Sequence, residues 1–445
     1  FYSADTSSIY TTDVSGTDND ANGNAAYGYQ AMDAITTGDS NTAVGFAALG
    51  ANTSGAENTA VGKGALDANT TAASNTAIGF SSMSTNTTGA NNTAVGRDSL
   101  FSSTTSDDNT AVGYSAMVSN TTGAGNTALG KNALYNNTTG TRNLGIGYRA
   151  YANSDTENDN LAIGYQSMVT NTAGGTLNVA VGNYALDALT SGDQNVAVGH
   201  VALGALNTGG ENTAVGDQAG QAITSGAQNV AVGTYALDHT TTADTNTAIG
   251  YATLNVNTTG AGNVAVGANA LDANTTASQN TAVGTGALGA NTDGTYNTAV
   301  GANALLANTT ADQNTAVGTF ALDANTTGAN NTALGTSALG ANTTASNNVA
   351  IGTNALILNT TGAENVAVGF AALDANTTAS YNTGIGHDAL GSNTTGASNT
   401  AVGYNSMAVN STGANNVAVG MNALDANNGG GNVAVGNAAM TSNTT

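Results

Sequence analysis

The 445-residue chain contains no cysteine, no proline and no tryptophan, and only 7% of its residues are charged. Without cysteine, neither a disulfide framework nor thiolate chemistry is possible. No apolar run approaches the length of about 18 residues that a transmembrane helix needs, so we expect no membrane insertion. The first residue is Phe rather than Met, which predicts a processed chain or an excerpt of a longer protein.

Basic residues are also scarce. All five Lys and Arg residues lie before residue 150, and 28 acidic residues bring the formal net charge to −23. A chain of this charge is not expected to bind nucleic acid or an anionic membrane. The three histidines, His200, His239 and His387, are far apart in the sequence. They predict neither a metal site nor a catalytic triad, so we expect no enzymatic activity and no cofactor.

A motif of the form Asn-x-small-bulky-Gly, usually written NTAVG or NVAVG, occurs twenty-five times from Asn24 to Asn432. Its asparagines stand seventeen positions apart in 22 of the 24 intervals, and the exceptions are one position longer after Asn160 and one position shorter after Asn416. The repeat reads N-T-A-V-G-x-x-A-L-x-A-N-T-T-G-A-x, and its positions are numbered 1 to 17 below. A period this short indicates one supersecondary unit stacked on itself, which is a solenoid.

Seventeen residues are too few for a helix pair, so the sequence predicts a parallel β-solenoid, or β-roll, of about 25 coils spanning residues 24–445. Positions 1–4 suit a strand, Gly at position 5 suits a corner, and positions 7–11 are predicted to form a second short strand. At about 4.8 Å per coil, the stack would be roughly 120 Å long. The position-1 asparagines would form an axial amide ladder, for example Asn41, Asn58, Asn75 and Asn92.

The core of one such stack should be thin, because only positions 4 and 9 regularly carry large aliphatic residues. Positions 3 and 8 are always small, and in strands they would lie on the faces opposite to positions 4 and 9. Strands that are apolar on both faces are usually covered on both. We therefore expect the small columns to pack against further copies in a homo-oligomer; the alternative is a single solenoid with an alanine-coated exterior.

The unit NTAVGxxALxANTTGAxNTAVG resembles the repeats of bacterial and phage tail-fibre-domain proteins, over nearly the whole chain from Asn24 onward. More distantly, it is similar to the head repeats of trimeric autotransporter adhesins, whose repeats are shorter. The resemblance implies a left-handed β-roll, association as a trimer and a place outside the cell, on a cell surface or on a virion. It is specific for architecture and weak for activity.

Position 6, directly after the corner glycine, is the most individual column and the main candidate binding site. Aromatic residues and cations alternate there from Phe46 to Tyr148, so that neighbours would lie within cation–π reach. One interpretation is a stabilising ladder, and the other is a stripe that docks a surface glycan or a neighbouring fibre. The residues of the column over the first nine coils are Tyr29, Phe46, Lys63, Phe80, Arg97, Tyr114, Lys131, Tyr148 and Tyr165.

Other candidate sites are weaker. Asp18, Asp20 and Asn22 match the opening of a calcium-binding loop, but Tyr29 stands where the bidentate Glu is required, and a polar turn is the alternative. Asn-x-Ser/Thr sequons recur as part of the repeat and offer either glycosylation sites or turn chemistry. Adjacent threonines at positions 13 and 14 raise an ice-binding hypothesis, although neighbouring side chains should point to opposite sides. The sequons include Asn69, Asn86, Asn274, Asn325 and Asn376.

Residues 1–23 lie outside the repeat and carry the apolar residues Phe1, Tyr2, Ile9 and Tyr10. We expect this segment to be either a cap or an inter-subunit docking strand. Either the sequence is an excerpt of a longer fibre, or the leading segment of one copy completes the trailing edge of the next, which would build a head-to-tail filament. The sequence thus predicts a non-catalytic structural fibre protein that assembles with itself and presents a surface for attachment. The alternatives are a receptor- or glycan-binding adhesin or tail fibre and, third, an ice-binding solenoid.

Overall fold

A computed structural model describes residues 9–10, 21–171, 174–426 and 428–441. It confirms an all-β parallel solenoid with the predicted period, and the described ranges hold strands and turns without an α-helix. Within those ranges no helix has the length and apolar character needed to cross a membrane. The chain divides into two compact units, Phe1–Gly226 and Ala227–Thr445.

The first unit contains a two-residue strand followed by one three-residue strand per coil. In order, β1 to β13 are Ile9–Tyr10, Ala25–Tyr27, Thr42–Val44, Thr59–Val61, Thr76–Ile78, Thr93–Val95, Thr110–Val112, Thr127–Leu129, Leu144–Ile146, Leu161–Ile163, Val179–Val181, Val196–Val198 and Thr213–Val215. The second unit continues with β14 to β26, which are Val230–Val232, Thr247–Ile249, Val264–Val266, Thr281–Val283, Thr298–Val300, Thr315–Val317, Thr332–Leu334, Val349–Ile351, Val366–Val368, Thr383–Ile385, Thr400–Val402, Val417–Val419 and Val433–Val435.

Within each unit, every strand pairs in parallel with the strand of the next coil, and like positions face each other. Thr42 pairs with Thr59, and Val44 pairs with Val61. Like positions also pair across the two irregular coils, between β10 and β11 and between β25 and β26, so the sheet keeps its register through both. The leading strand β1 pairs in parallel with β2, so part of segment 1–23 extends the sheet of its own chain.

The prediction of a second strand at positions 7–11 is wrong, because this segment is a succession of turns. Positions 7 and 9 adopt positive φ in coil after coil, as at Ala47 (55°) and Leu49 (50°). The backbone still bonds along the axis: Ala47 donates its N–H to the preceding coil, at Tyr29, and Leu49 donates to the following coil, at Ala65. Alternating φ therefore replaces the strand without loss of axial hydrogen bonds.

The predicted placement of positions 3, 4 and 8 is also wrong. Ala43, Ala48 and Leu49 are completely buried, whereas Val44 is 38% exposed. Neighbouring residues such as Ala48 and Leu49 could not both face inward in a strand, where side chains alternate, but the turn allows it. The core of each unit therefore consists of small residues at positions 3 and 8 with one large residue at position 9, and the position-4 column lies outside.

Candidate functional site

The position-1 asparagines form an axial ladder through the interior of each unit. Asn41 donates its backbone N–H to Oδ1 of Asn24 at 2.8 Å and its Nδ2 to the same oxygen at 3.2 Å. Its Nδ2 also donates to the carbonyl of Gly55, at position 15 of its own coil, at 2.9 Å. The bond from the backbone N–H to the Oδ1 of the preceding asparagine recurs at Asn58, Asn75 and Asn92, as does the bond from Nδ2 to the position-15 carbonyl. Each asparagine thus links two coils and closes its own, which satisfies polar groups that are fully buried.

A second asparagine ladder at position 12 was not identified from the sequence, where the Asn-Thr-Thr run was interpreted only as a turn. Asn69 donates its Nδ2 to Oδ1 of Asn52 at 3.0 Å and to the carbonyl of Ala72, at position 15 of the same coil, at 3.1 Å. The position-15 carbonyl therefore accepts from both ladders, as Gly55 does from Asn41 and Asn52. The recurrence of Asn at position 12 was the available signal.

The second ladder argues against glycosylation of the position-12 sequons in the folded chain. Most sequon asparagines occupy position 12, and the five named at the end of this paragraph have buried, hydrogen-bonded side chains. The sequon asparagines Asn91, Asn136 and Asn330 lie at other positions and are exposed, so at these three glycosylation stays a prediction. An acceptor amide with 0% exposure cannot be reached by a glycosyltransferase once the coil has formed. The hydroxyl groups of the position-13 threonines also form hydrogen bonds along the axis; Thr53 Oγ1, for example, donates to the Thr70 carbonyl at 3.0 Å. Their hydroxyls are therefore not free to form an outward array. The sequons in question are Asn69, Asn86, Asn274, Asn325 and Asn376.

The structure brings the position-6 residues of the first unit together into one exposed column. The Lys63 ammonium lies 5.7 Å from the ring centroids of both Phe46 and Phe80. Arg97 and Lys131 bridge the next rings in the same way, at 5.3–5.9 Å. Stacked aromatic pairs flank this alternating section at both ends, Tyr29 with Phe46 at 5.7 Å and Tyr148 with Tyr165 at 5.2 Å. Nine consecutive coils thus share a chain of ring and cation contacts.

The orientation of the rings determines what the column can offer a ligand. Tyr148 and Tyr165 are inclined by only 19°, and Tyr29 and Phe46 by 24°, at centroid distances close to one coil spacing. Ring faces are therefore directed along the column toward neighbouring rings and cations, and ring edges face solvent. A sugar that stacks on an aromatic face would have to displace these contacts. The geometry favours the ladder interpretation of the column.

The second unit has only short aromatic groups on this side. Phe370, His387 and Tyr404 stack at 5.2 Å, and Tyr235 contacts Tyr251 edge-on at 6.1 Å. The column extends past Tyr165 in the first unit through Tyr184 at position 7 to His200. The two units therefore differ in the aromatic character of this edge.

The sheet of each unit exposes a neutral, largely aliphatic surface formed by positions 2 and 4. Leu129 is 47% exposed, and Ile78 and Leu334 are similarly exposed. None of the fifty residues that occupy these two positions in twenty-five coils is charged, although the chain carries 33 charged side chains, 28 acidic and 5 basic. Position 2 is mostly Thr or Val, and position 4 is Val, Ile or Leu in every coil except at Tyr27. This surface is called the sheet face below.

Several position-10 aspartates are partly withdrawn from water between the turns of adjacent coils. Burial raises the pKa of their carboxyl groups above the usual 3.8, although hydrogen bonds from nearby backbone N–H groups oppose the shift. At Asp374 the charge of Asp388 adds to the effect of burial on the pKa. These groups, the half-buried position-10 aspartates, are Asp67, Asp187, Asp272, Asp323 and Asp374.

The irregular 18-residue coil borders a buried polar cluster that sequence reasoning did not find. Tyr151 replaces the usual Leu, and its hydroxyl accepts from Asn160 at 2.6 Å and from Asn171 at 3.1 Å. Glu157 is only 3% exposed, and its carboxylate accepts backbone N–H groups, including that of Gly174 at 3.2 Å. Burial, aided by the charge of Glu157, raises the pKa of Tyr151. The extra residue lies between Asn171 and Gly175, where the ladder bond spans four residues instead of three.

The remaining candidates do not assemble into a site. Asp18, Asp20, Phe1 and Tyr2 lie outside the described residues, and Asn22 donates its backbone N–H to Asp39 Oδ1 at 2.7 Å. Ile9 and Tyr10 form β1. Each histidine lies beside a single aspartate, for example His200 beside Asp217 at 3.0 Å. In the part of the chain that the structure describes, no three His, Cys, Asp or Glu side chains are grouped to hold a metal ion.

Comparison with known proteins adds no family. No protein-family model matches the chain, and no curated protein matches it. The 17-residue solenoid therefore rests on the structure itself, and the resemblance of the repeat to tail-fibre repeats stays a prediction.

Proposed function

We propose that this chain is a non-catalytic structural fibre protein that assembles with itself outside the cell or on a virion and presents a surface for attachment. The observation that carries the proposal is the double asparagine ladder. In nearly every coil, the buried amide of the position-1 asparagine binds a neighbouring coil and closes its own, and position 12 does the same in the many coils where it is Asn. Such repetition favours axial stacking and stiffness over a localised reaction centre.

Electron microscopy of the purified chain tests this proposal. We expect elongated particles or filaments formed without any added partner. A ladder variant serves as a control, since replacing Asn348 by Ala should weaken the particles locally. Compact, globular particles of the intact chain would refute the fibre role.

The second candidate is a receptor- or glycan-binding adhesin, and the observation in its favour is the solvent exposure of the position-6 rings, such as Phe46 at 47%. Its test is the combined replacement of Phe46, Phe80 and Tyr114 by Ser, followed by binding to a glycan array and by imaging of fibre bundles. Loss of glycan binding with unchanged particles would establish adhesion. Unchanged binding and bundling would leave the column with only a stabilising role.

A further inference from the structure

We propose that the sheet face is a lateral docking surface for a second copy of the chain, with the sheet faces of two copies packed against each other. This inference rests on the proposed structural role and specifies which surface mediates self-assembly. It also replaces the expected interface through positions 3 and 8, because those columns are buried inside each coil.

The distribution of charge favours the sheet face as the contact surface. Two copies that each carry a net charge of −23 repel one another, and the repulsion is weakest where they meet through surfaces that hold no acidic groups. The sheet face is neutral at all fifty of its positions, whereas the turn segments carry the acidic residues, such as Asp272 at position 10 and Asp312 at position 16. Pairing through this surface brings Val, Ile, Leu and Thr side chains together without desolvating a charge.

The coil spacing favours a second copy of the chain as the partner. The rows of the sheet face repeat once per coil, because like positions pair directly from strand to strand. A second copy has the same coil spacing, so side chains that interdigitate in one coil interdigitate in the next as well. Aliphatic rows that interlock in this way form dry, closely packed contacts between sheets. An unrelated protein would have to reproduce the same spacing over many coils.

The available area is sufficient. Three strand residues of about 3.3 Å each, over a coil spacing of about 4.8 Å, give roughly 50 Å² of sheet face per coil. The twelve coil strands β2 to β13 of the first unit therefore offer roughly 600 Å² per partner, or about 1,200 Å² in total, which is the lower bound for specific interfaces. The second unit has thirteen strands and offers slightly more. Either unit alone could thus support pairing.

Sedimentation analysis of the intact chain at micromolar concentration tests the proposal. We expect a dimer or larger lateral assembly that is weakened at least about tenfold by Val300→Lys, Val317→Lys and Leu334→Lys together, because like charges would then face each other. The matched control places lysines at exposed position 14 of the same coils, Thr310→Lys, Thr327→Lys and Thr344→Lys. This control adds the same charge and should leave the assembly intact.

Circular dichroism establishes that each variant is folded. If the lysine variant does not fold, Val300→Thr, Val317→Thr and Leu334→Thr together retain compact side chains while removing apolar surface, and this variant should also weaken assembly. A monomeric wild-type chain would overturn the proposal, as would an assembly that both lysine variants disrupt equally or that neither disrupts. Single, unpaired rods in micrographs would refute lateral docking but leave the fibre role intact, whereas globular particles would refute the fibre role itself.

Discussion

The contribution of the position-1 asparagine ladder to stability can be tested at Asn348, in the second unit. Its Oδ1 accepts the backbone N–H of Asn365 at 2.9 Å and the Nδ2 of Asn365 at 3.2 Å. Its own Nδ2 donates to the carbonyl of Gly362 at 2.9 Å. Replacing Asn348 by Ala removes all three bonds, but the groups left behind are not equally affected.

Two of the three groups keep a partner. The Gly362 carbonyl still accepts from Asn359, and Asn365 Nδ2 still donates to the Ala379 carbonyl. The backbone N–H of Asn365 loses its acceptor while buried, which costs about 1–3 kcal/mol, and the two other bonds contribute about 0.5–1.5 kcal/mol each. We therefore expect Asn348→Ala to lower the free energy of unfolding by about 2–6 kcal/mol.

Urea unfolding measures the loss, and hydrogen exchange at the Asn365 amide locates it. The matched control is Asn437→Ala, the same substitution at an exposed turn position, which should change stability by less than about 0.5 kcal/mol. If Asn348→Ala unfolds like this control and exchange at Asn365 is unchanged, the ladder does not stabilise the coil. Asn348→Asp keeps an acceptor but buries a carboxylate, so its destabilisation should decrease on acidification.

Three further predictions concern the corner, the position-6 column and pH. Gly45→Ala should destabilise the coil by at least about 3 kcal/mol, because φ is 133° and a Cβ would lie 2.6 Å from the Gly62 oxygen. Gly50→Ala in the same coil should be tolerated, so similar melting temperatures for the two variants would contradict the prediction. Lys63→Met removes two cation–π contacts and should lower the free energy of unfolding in urea by about 1–2 kcal/mol. Arg149→Met, beside the column, should lower it less, and equal effects would contradict a stabilising role of the column. The half-buried position-10 aspartates have raised pKa values, so the folded chain binds more protons than the unfolded chain between pH 3.8 and those values. The free energy of unfolding should therefore rise as pH falls into that window. Changing all five to Asn should flatten this part of a melting-temperature profile, and an unchanged profile would exclude them as its cause.

The sequence predicted the period, the parallel register and the position-1 ladder, because each of these requires that like residues stack on like. It also predicted the contacts of the position-6 column, since Phe46, Lys63 and Phe80 follow one another at a fixed phase. These features depend on the spacing between coils and not on the conformation within a coil. They would hold for any stacked repeat of the same period.

The conformation within the coil was predicted less well because it departs from ordinary backbone preferences. Leu rarely adopts positive φ, yet Leu49 and its equivalents do so throughout both units. The presence of Leu at position 9 therefore gives no sign of positive φ in the sequence. The polar residues at positions 7 and 17 were a weak signal, since Asn, Asp and Ser tolerate it better, as at Asn91 and Asp98.

The position-4 aliphatic residues lie outside the core, so their apolar character needs another explanation. A 17-residue coil has a narrow interior, which in a typical coil is filled by two asparagines, three small residues and one large residue, as at Asn58, Ala60, Ala65, Leu66, Asn69 and Ala72. The position-4 aliphatics are therefore not needed to fill it. Strand propensity accounts for a β-branched residue at position 4, but it accounts equally for Thr, which position 2 carries in many coils and position 4 in none. A row of partly exposed Val, Ile and Leu without a single Thr is what an apolar contact requires, and the proposed pairing with a second sheet face would supply that contact.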